Sequence, residues 1–268
     1  MYYSYRVKTG LFGDFQVAPY KPTTKQIEIA LSLRARKYNI IRKSRQVGGT
    51  TAVLVEMLDQ ALNTKKTIAY VGIKAIHGRD ILLQIISDSN IKDQILNEKR
   101  DLIEFVNGSK IKFISRREDF CSWRFDWVVL DEIAFQKEPE LMVGLAMSSG
   151  ENCNVTLMST PIPKYNIFNS IYFAALQEKN EFHIIDSLWY DHPVFGQNVM
   201  WGHPSGKGFK IAYNVKHLER NIQLLSLGMV RTSEAYERHL KMYGMSSEND
   251  SMKYEMEAHL EIDTETAN

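Results

Sequence analysis

The chain has 268 residues, enough to bury a large core and to form one α/β domain with a smaller appended part. Its 33 Lys and Arg against 32 Asp and Glu leave a formal charge of +1, so no global basic field steers it to nucleic acid and any such contact must be local. Two cysteines, Cys121 and Cys153, are too few and too far apart for a disulfide framework or a metal site, and both read as reduced thiols beside the core. The opening residues lack the apolar stretch of a secretory leader, and no apolar run approaches a membrane span.

Residues 1–22 are aromatic and turn-rich and end in Pro19 and Pro22. Helical and strand patterns then alternate. A helix is expected over 23–37, a strand over 38–42, a helix over 50–63, a strand over 67–73 and a helix over 75–87. Residues 103–115 read as a hairpin whose Asn107-Gly108 suits a type I′ turn. A buried strand follows at 127–132, then a helix near 139–147, a strand at 155–159, a helix at 165–178 and a strand at 181–186. Alternation of this kind implies a mostly parallel sheet with helices on both faces. Residues 187–268 change character to loops rich in Gly, Pro, His and aromatics, with helical patterns at 212–227, 231–243 and 251–261. Lys207, Lys210, Lys216 and Arg220 read as a solvated face before they read as a DNA contact. His192, His203, His217 and His239 lack metal-ligand spacing, and Asp186 with Asp191 reads as a strand end and loop.

Three segments carry chemistry. Strand 38–42 runs into Arg42-Lys43-Ser44-Arg45-Gln46-Val47-Gly48-Gly49-Thr50-Thr51 and then a helix. Strand, glycine turn, hydroxyl pair and helix describe a phosphate-binding loop, where backbone N–H groups and a helix N-terminus face the anion. The usual loop ends Gly-Lys-[Ser/Thr], and here Gly49 holds the lysine's place. Lys43 and Arg45 are the candidate replacement cations and Arg42 a weaker third; a solvated basic strand end is the plain alternative. Downstream, Trp127-Val128-Val129-Leu130-Asp131-Glu132 is an apolar strand ending in two carboxylates. Nucleotide hydrolases need one carboxylate there for Mg²⁺ and a second to orient water, which places Asp131 and Glu132 in those roles against an ordinary strand-end turn. Val155 to Pro161 is a third apolar strand, ending in Ser159-Thr160-Pro161, which alone is a turn signal.

In this order these residues resemble the ATPase domain of the large terminase subunit, the DNA-packaging motor of tailed bacteriophages. Gln26 stands eighteen positions before Ser44, where the family places an adenine-contacting glutamine. The hairpin IEFVNGSKIKFIS (103–115) matches a family hairpin carrying NGS, SWRFDWVVLDEIAF (122–135) matches its arginine and Walker B strand, and Ser159-Thr160-Pro161 matches its coupling motif. Several members carry the loop lysine at the front, in the K-x-x-x-x-G pattern that Lys43 through Gly48 reproduces.

The resemblance implies a P-loop NTPase fold of the ASCE type: an ATPase core over 1–186, whose first 22 residues wrap the adenine side, and a small lid subdomain over 187–268. It implies ATP and Mg²⁺, with Gln26 on adenine, the 43–51 loop on phosphates, Thr50 and Asp131 on the metal, and Glu132 activating water. Arg124 becomes the candidate arginine finger, with Arg116 and Arg117 competing, and Ser159, Thr160 and Pro161 couple phosphate release to lid motion. It further implies double-stranded DNA, a portal protein and a small terminase subunit as partners, a homo-oligomeric ring, and work in the host cytoplasm docked on a procapsid. KYEMEAHLEIDTETAN (253–268) resembles the passage into a nuclease domain, so the chain reads as an ATPase domain cut from a larger protein or a nuclease-less subunit, with any nuclease in trans. Two rival classes stand beside this. A helicase-like nucleic-acid ATPase predicts motifs on a second motor domain; a non-enzymatic docking platform reads Gly49 as lost catalysis.

Overall fold

The structure, a computed structural model, describes residues 3–8, 15–45, 47–115, 120, 123–162, 166–194, 196–202, 210–213, 218–227, 229–234 and 237. In chain order the elements are β1 (Ser4–Lys8), β2 (Phe15–Pro19), α1 (Thr24–Ala35), β3 (Tyr38–Lys43), α2 (Gly49–Asn63), β4 (Thr67–Val71) and α3 (Ala75–Asp88). They continue with β5 (Ile95–Lys99), β6 (Leu102–Phe105), β7 (Lys110–Ile114), β8 (Trp127–Asp131), α4 (Pro139–Met147), β9 (Asn154–Ser159), α5 (Ile167–Leu176) and β10 (His183–Ser187). The last are β11 (Met200–Gly202), β12 (Ile211–Ala212), α6 (Leu218–Ser226) and β13 (Val230–Thr232).

Among the described residues the main sheet has eight strands, in the order β10-β3-β9-β8-β4-β7-β6-β5. β10 through β7 run parallel, and β6 and β5 extend the sheet antiparallel. Strand alternation divides the core between the two faces. Ile41, Val129 and Met158 pack with α1, α2 and α3, while Ile40, Val128 and Leu157 pack with α4 and α5. Strands buried on both faces are what near-continuous apolar runs such as Trp127–Leu130 encode. The parallel registers also align the strand ends: Arg42 lies beside Ser159 and Met158 beside Asp131. Lys43, Asp131 and Ser159 thereby reach one edge of the sheet, the edge where open α/β folds bind ligands.

The hairpin forms where the sequence placed it, with a different turn. Gly108 has φ +85° and Asn107 is not in the left-handed region, so a type I′ turn, which needs positive φ at both, is excluded. Phe105 and Ser109 pair across a three-residue loop closed by Gly108 N–H on Phe105 O, 2.9 Å. Asn107 spends its side chain elsewhere: Nδ2 donates to Ala61 O (2.8 Å) and Leu62 O (3.1 Å) at the end of α2. Buried Ser109 completes the link, donating to Thr64 O at 2.8 Å and accepting from Lys66 N–H at 3.1 Å. Asn107→Ala should therefore lower unfolding stability by about 1 kcal/mol, read from denaturant midpoints, by uncapping α2.

Other expectations need correction. Residues 4–8 and 15–19 form a two-stranded antiparallel sheet in place of turns. It is anchored on the helices, with Tyr3 Oη donating to Asp59 at 2.9 Å and Ser4 N–H to Ser89 Oγ at 2.9 Å, beyond the end of α3 away from the aligned strand ends. β5 falls between the helix expected at 75–87 and the hairpin expected at 103–115, where no element was expected. Beyond residue 187, Ile211–Ala212 and Val230–Thr232 are strands flanking β11 where the expected helices would begin, while α6 keeps part of the first and Glu234 and Glu237 are helical within the second. The pattern at 251–261 lies outside the described residues, as do Gln46, Arg116, Arg117, Cys121, His203, His217, His239, Lys207 and Lys216. Cys153 is buried in the sheet face under α4 and α5, where burial pushes its thiol up to about 11. Among the described residues no helix is long and apolar enough to cross a membrane.

Candidate active site

A cavity of about 660 Å³ opens over the carboxyl ends of β3, β8 and β4. Its near wall is the 43–51 loop and its far wall the first turns of α3. Gly48 precedes α2 at φ +78°, a left-handed conformation that favours glycine, and a Cβ there would lie 2.6 Å from Gln26 Nε2. Gln26 braces this turn: Nε2 donates to Gly48 O at 3.1 Å, and Oε1 accepts Thr23 N–H at 2.9 Å within the capping box that starts α1. Among the described residues these two bonds leave one amide hydrogen and one lone pair of Gln26 uncommitted. The loop's other end is fixed by Ser44, whose N–H donates to Ser187 O at 2.9 Å and whose Oγ accepts Trp189 N–H at 3.0 Å. Val47 packs on Trp189 and Val199, which joins the loop to the region beyond β10.

The three candidate cations have different fates. Arg42 makes a bidentate pair with Asp186 (2.8 and 2.6 Å), lies 5.2 Å over the Tyr172 ring, and so is engaged away from the loop. Arg45 is exposed on the cavity wall. Lys43 is buried and turned inward, donating to Glu132 Oε1, with Asp131 Oδ1 at 3.8 Å. Burial works against its charge, but the carboxylates of Asp131 and Glu132 outweigh it and hold the ammonium above its ordinary range. Its stem also explains Gly49: a Cβ there would meet Lys43 Cδ at 3.2 Å and Met158 Sδ at 3.7 Å. Thr51 follows on the same wall.

Asp131 is almost fully enclosed. Oδ2 accepts from Thr50 Oγ1 at 3.2 Å and Tyr70 Oη at 2.5 Å; Oδ1 accepts Glu132 N–H at 2.9 Å. Burial pushes its carboxyl up, with Lys43 opposing and Glu132 adding to the rise. Burial and then Asp131 push the Tyr70 phenol well above its ordinary value, so the phenol is the donor. Glu132 takes a left-handed backbone, φ 50° and ψ 44°, which turns its side chain across to β9. There Oε2 accepts Thr160 N–H at 3.0 Å and Ser159 Oγ at 3.3 Å, while Thr160 Oγ1 is 3.5 Å from Oε1. Pro161 is buried immediately beyond. The donor set fits Mg²⁺: a carboxylate oxygen and a hydroxyl, both hard oxygens, adjoin at the cavity, and Mg²⁺ takes one or two protein oxygens while keeping waters and phosphate ligands.

Arg124 is not brought to this cavity. It is exposed and precedes β8, so the whole strand, about 15 Å at the usual rise, separates it from Asp131. Asp186 is taken by Arg42 and Tyr172, and Asp191 accepts Leu188 N–H at 3.0 Å. Lys210 pairs with Glu237 at 2.9 Å. Tyr70 was missed; nothing in the run TIAYVGI marks a phenol that crosses to a carboxylate sixty-one positions away.

A strand leading into a glycine-turned loop and a carboxylate-ending strand with β9 between them, helices on both faces and the loop at the strand ends, define a P-loop NTPase fold of the ASCE type. No protein-family model and no curated protein sequence matches the chain. Among solved structures it is similar to the large terminase of a thermophilic bacteriophage, with TM-score 0.50, 17% identity, and coverage of 64% of this chain and 47% of that one. A crystal form of the same terminase in complex with ADP gives TM-score 0.51 and 17% identity, over 63% of this chain and 46% of that one. A mutant of the large terminase ATPase domain of Thermus phage P74-26 gives TM-score 0.51 and 16% identity, over 64% of this chain and 83% of that domain. The fold is thus that of large terminase ATPase domains, and the chain spans about half the length of the first two terminases it matches.

Proposed function

We propose that the chain is an ATP-hydrolysing motor subunit that drives viral double-stranded DNA into a procapsid. The observation that carries the reading is the convergence of Lys43 and of Asp131 with Glu132 on one cavity behind a glycine-turned loop, with Ser159-Thr160 of the strand between them holding Glu132. A likeness in fold to a large terminase and to a large terminase ATPase domain supports it. Residues 1–186 form the ATPase core and 187–268 the lid.

In this reading the remaining amide hydrogen and lone pair of Gln26 meet adenine. Backbone N–H groups of the loop after Ser44, whose own N–H is held by Ser187 O, and of the start of α2 cradle the phosphates. The Lys43 ammonium has three donors and gives one to Glu132, so it can bridge that carboxylate to a phosphate. Thr50 and Asp131 would hold Mg²⁺, which neutralises charge building on the phosphoryl oxygens. Glu132 accepts a proton from the attacking water. Because Thr160 N–H and Ser159 Oγ hold that same carboxylate, any shift of β9's end moves the base directly, which is the route from phosphate release to lid motion. Arg124, too far to serve its own subunit, acts on a neighbour's nucleotide in a ring.

The partners proposed are the DNA, a portal protein, a small terminase subunit and further copies of the chain, working in host cytoplasm while docked on the procapsid. The test is steady-state ATP hydrolysis over a protein concentration series. We expect turnover per subunit to rise with concentration, and Arg124→Ala to abolish that rise while ADP affinity stays unchanged. Nucleotide binding without turnover in any assembled or DNA-bound state would favour a docking platform, and no binding at all would end the ATPase reading.

A further inference from the structure

We propose that Tyr70 is a positioning residue for the metal-holding carboxylate, and that α3 sets its place through Gly78. The inference rests on the ATPase reading above and concerns how Asp131 is aimed.

The register makes the contact a deliberate reach. Tyr70 on β4 lies beside Val129 on β8, two residues before Asp131, or about 7 Å along the strand. Only a long side chain leaning toward the strand's end spans that gap, and the phenol arrives at 2.5 Å from Oδ2. This is the oxygen that Thr50 Oγ1 also contacts at 3.2 Å, hence the one on the metal side. With Glu132 N–H on Oδ1, the carboxylate is held in one rotamer from three directions. Groups that orient a metal-holding oxygen change metal affinity or activity by about 10–100-fold when removed.

The ring has little room to shift. It is 4% exposed and packs on Phe113 with centroids 6.0 Å apart. From above, α3 lies directly on it. A Cβ at Gly78 would come within 2.5 Å of Tyr70 Cε1 and 2.8 Å of Cζ, so glycine is what lets the helix backbone rest on the phenol. The same helix supplies His77 and Ile81 to the cavity's far wall. The position of that wall and the aim of Asp131 are therefore linked through one aromatic ring.

The experiment titrates Mg²⁺ into the full chain with ADP and reads the tightening of ADP binding, with ADP affinity in chelator and the ligand-free melting temperature as separate readouts. For Tyr70→Phe we expect metal-free ADP affinity equal to that of the parent and the Mg²⁺ midpoint raised about tenfold or more. Gly78→Ala should shift the midpoint the same way, and the double variant should shift it by less than the product of the two. A lowered melting temperature with an unchanged Mg²⁺ midpoint in both variants means the hydroxyl only satisfies a buried oxygen, and overturns the proposal. A parent chain that binds ADP without any response to Mg²⁺ also overturns it. A parent chain that binds no ADP removes the ATPase reading and this inference together, and is told apart because the failure precedes any substitution.

Discussion

Glu132→Gln should lower ATP turnover by about 10³-fold while nucleotide still binds, the cost expected when a positioned general base is lost. The substitution changes charge and little else. Glutamine fills the same volume, tolerates the left-handed backbone at φ 50° as well as glutamate does, and can still accept Thr160 N–H through its amide oxygen. What it cannot do is take a proton from water. It also withdraws the negative charge that Lys43 faces, which leaves the ammonium freer for phosphate, so ADP and ATP affinity should hold or improve. Hydrolysis and equilibrium binding measured on the same preparation decide the matter. Turnover within a few-fold of the parent would remove Glu132 from the chemistry and leave it as a brace between β8 and β9.

What the sequence disclosed and what it withheld follow from how local each cause is. The loop was legible because glycine at 48 and hydroxyls at 50 and 51 answer to backbone geometry within a few residues. β3, β4, β8 and β9 were legible because strands buried on two faces must be almost wholly apolar. β5 was not: Ile95-Leu96-Asn97-Glu98-Lys99 is an edge strand with Leu96 69% exposed, and such a strand shows little core-facing alternation. β11, β12 and β13 are two or three residues long, too short for any period to appear. Asn107-Gly108 announced a turn correctly, yet its type was decided by Asn107 reaching the end of α2, a contact some forty-five positions away. The same holds in the site. The residue types at Lys43, Asp131 and Glu132 were readable, but the pairing of Tyr70 with Asp131 and the seat of Lys43's stem over Gly49 exist only once strands are placed side by side. Arg124 shows the limit of order along the chain: its place before β8 puts it a strand's length from Asp131, and which nucleotide it meets is not a matter of order.

The second large effect is expected at Lys43 and bears on why position 49 is glycine. Lys43→Ala should reduce turnover by about 10²–10³-fold, the usual cost of removing one charged donor aimed at developing charge. Because the ammonium also faces two carboxylates, one of them buried, Lys43→Met, which keeps the stem, should be assayed beside it and both should be checked for folding by thermal melting. Gly49→Lys alone should not add activity. Its Cβ would stand 3.2 Å from Lys43 Cδ, closer than ordinary van der Waals contact, and a second ammonium would then crowd the first. If Lys43 supplies the cation that other loops place late, Lys43→Ala combined with Gly49→Lys should recover at least about tenfold over Lys43→Ala alone, a coupling of roughly 1.4 kcal/mol. The alanine at 43 vacates the space that the new stem needs, and α2's first turn carries it on the same wall of the cavity. Full turnover in Lys43→Ala would show that Arg45 or the backbone suffices, and Gly49 would then need another explanation. Recovery in the double variant would mean that one cation has two possible mounts on this loop, each excluding the other by the volume of a methylene chain.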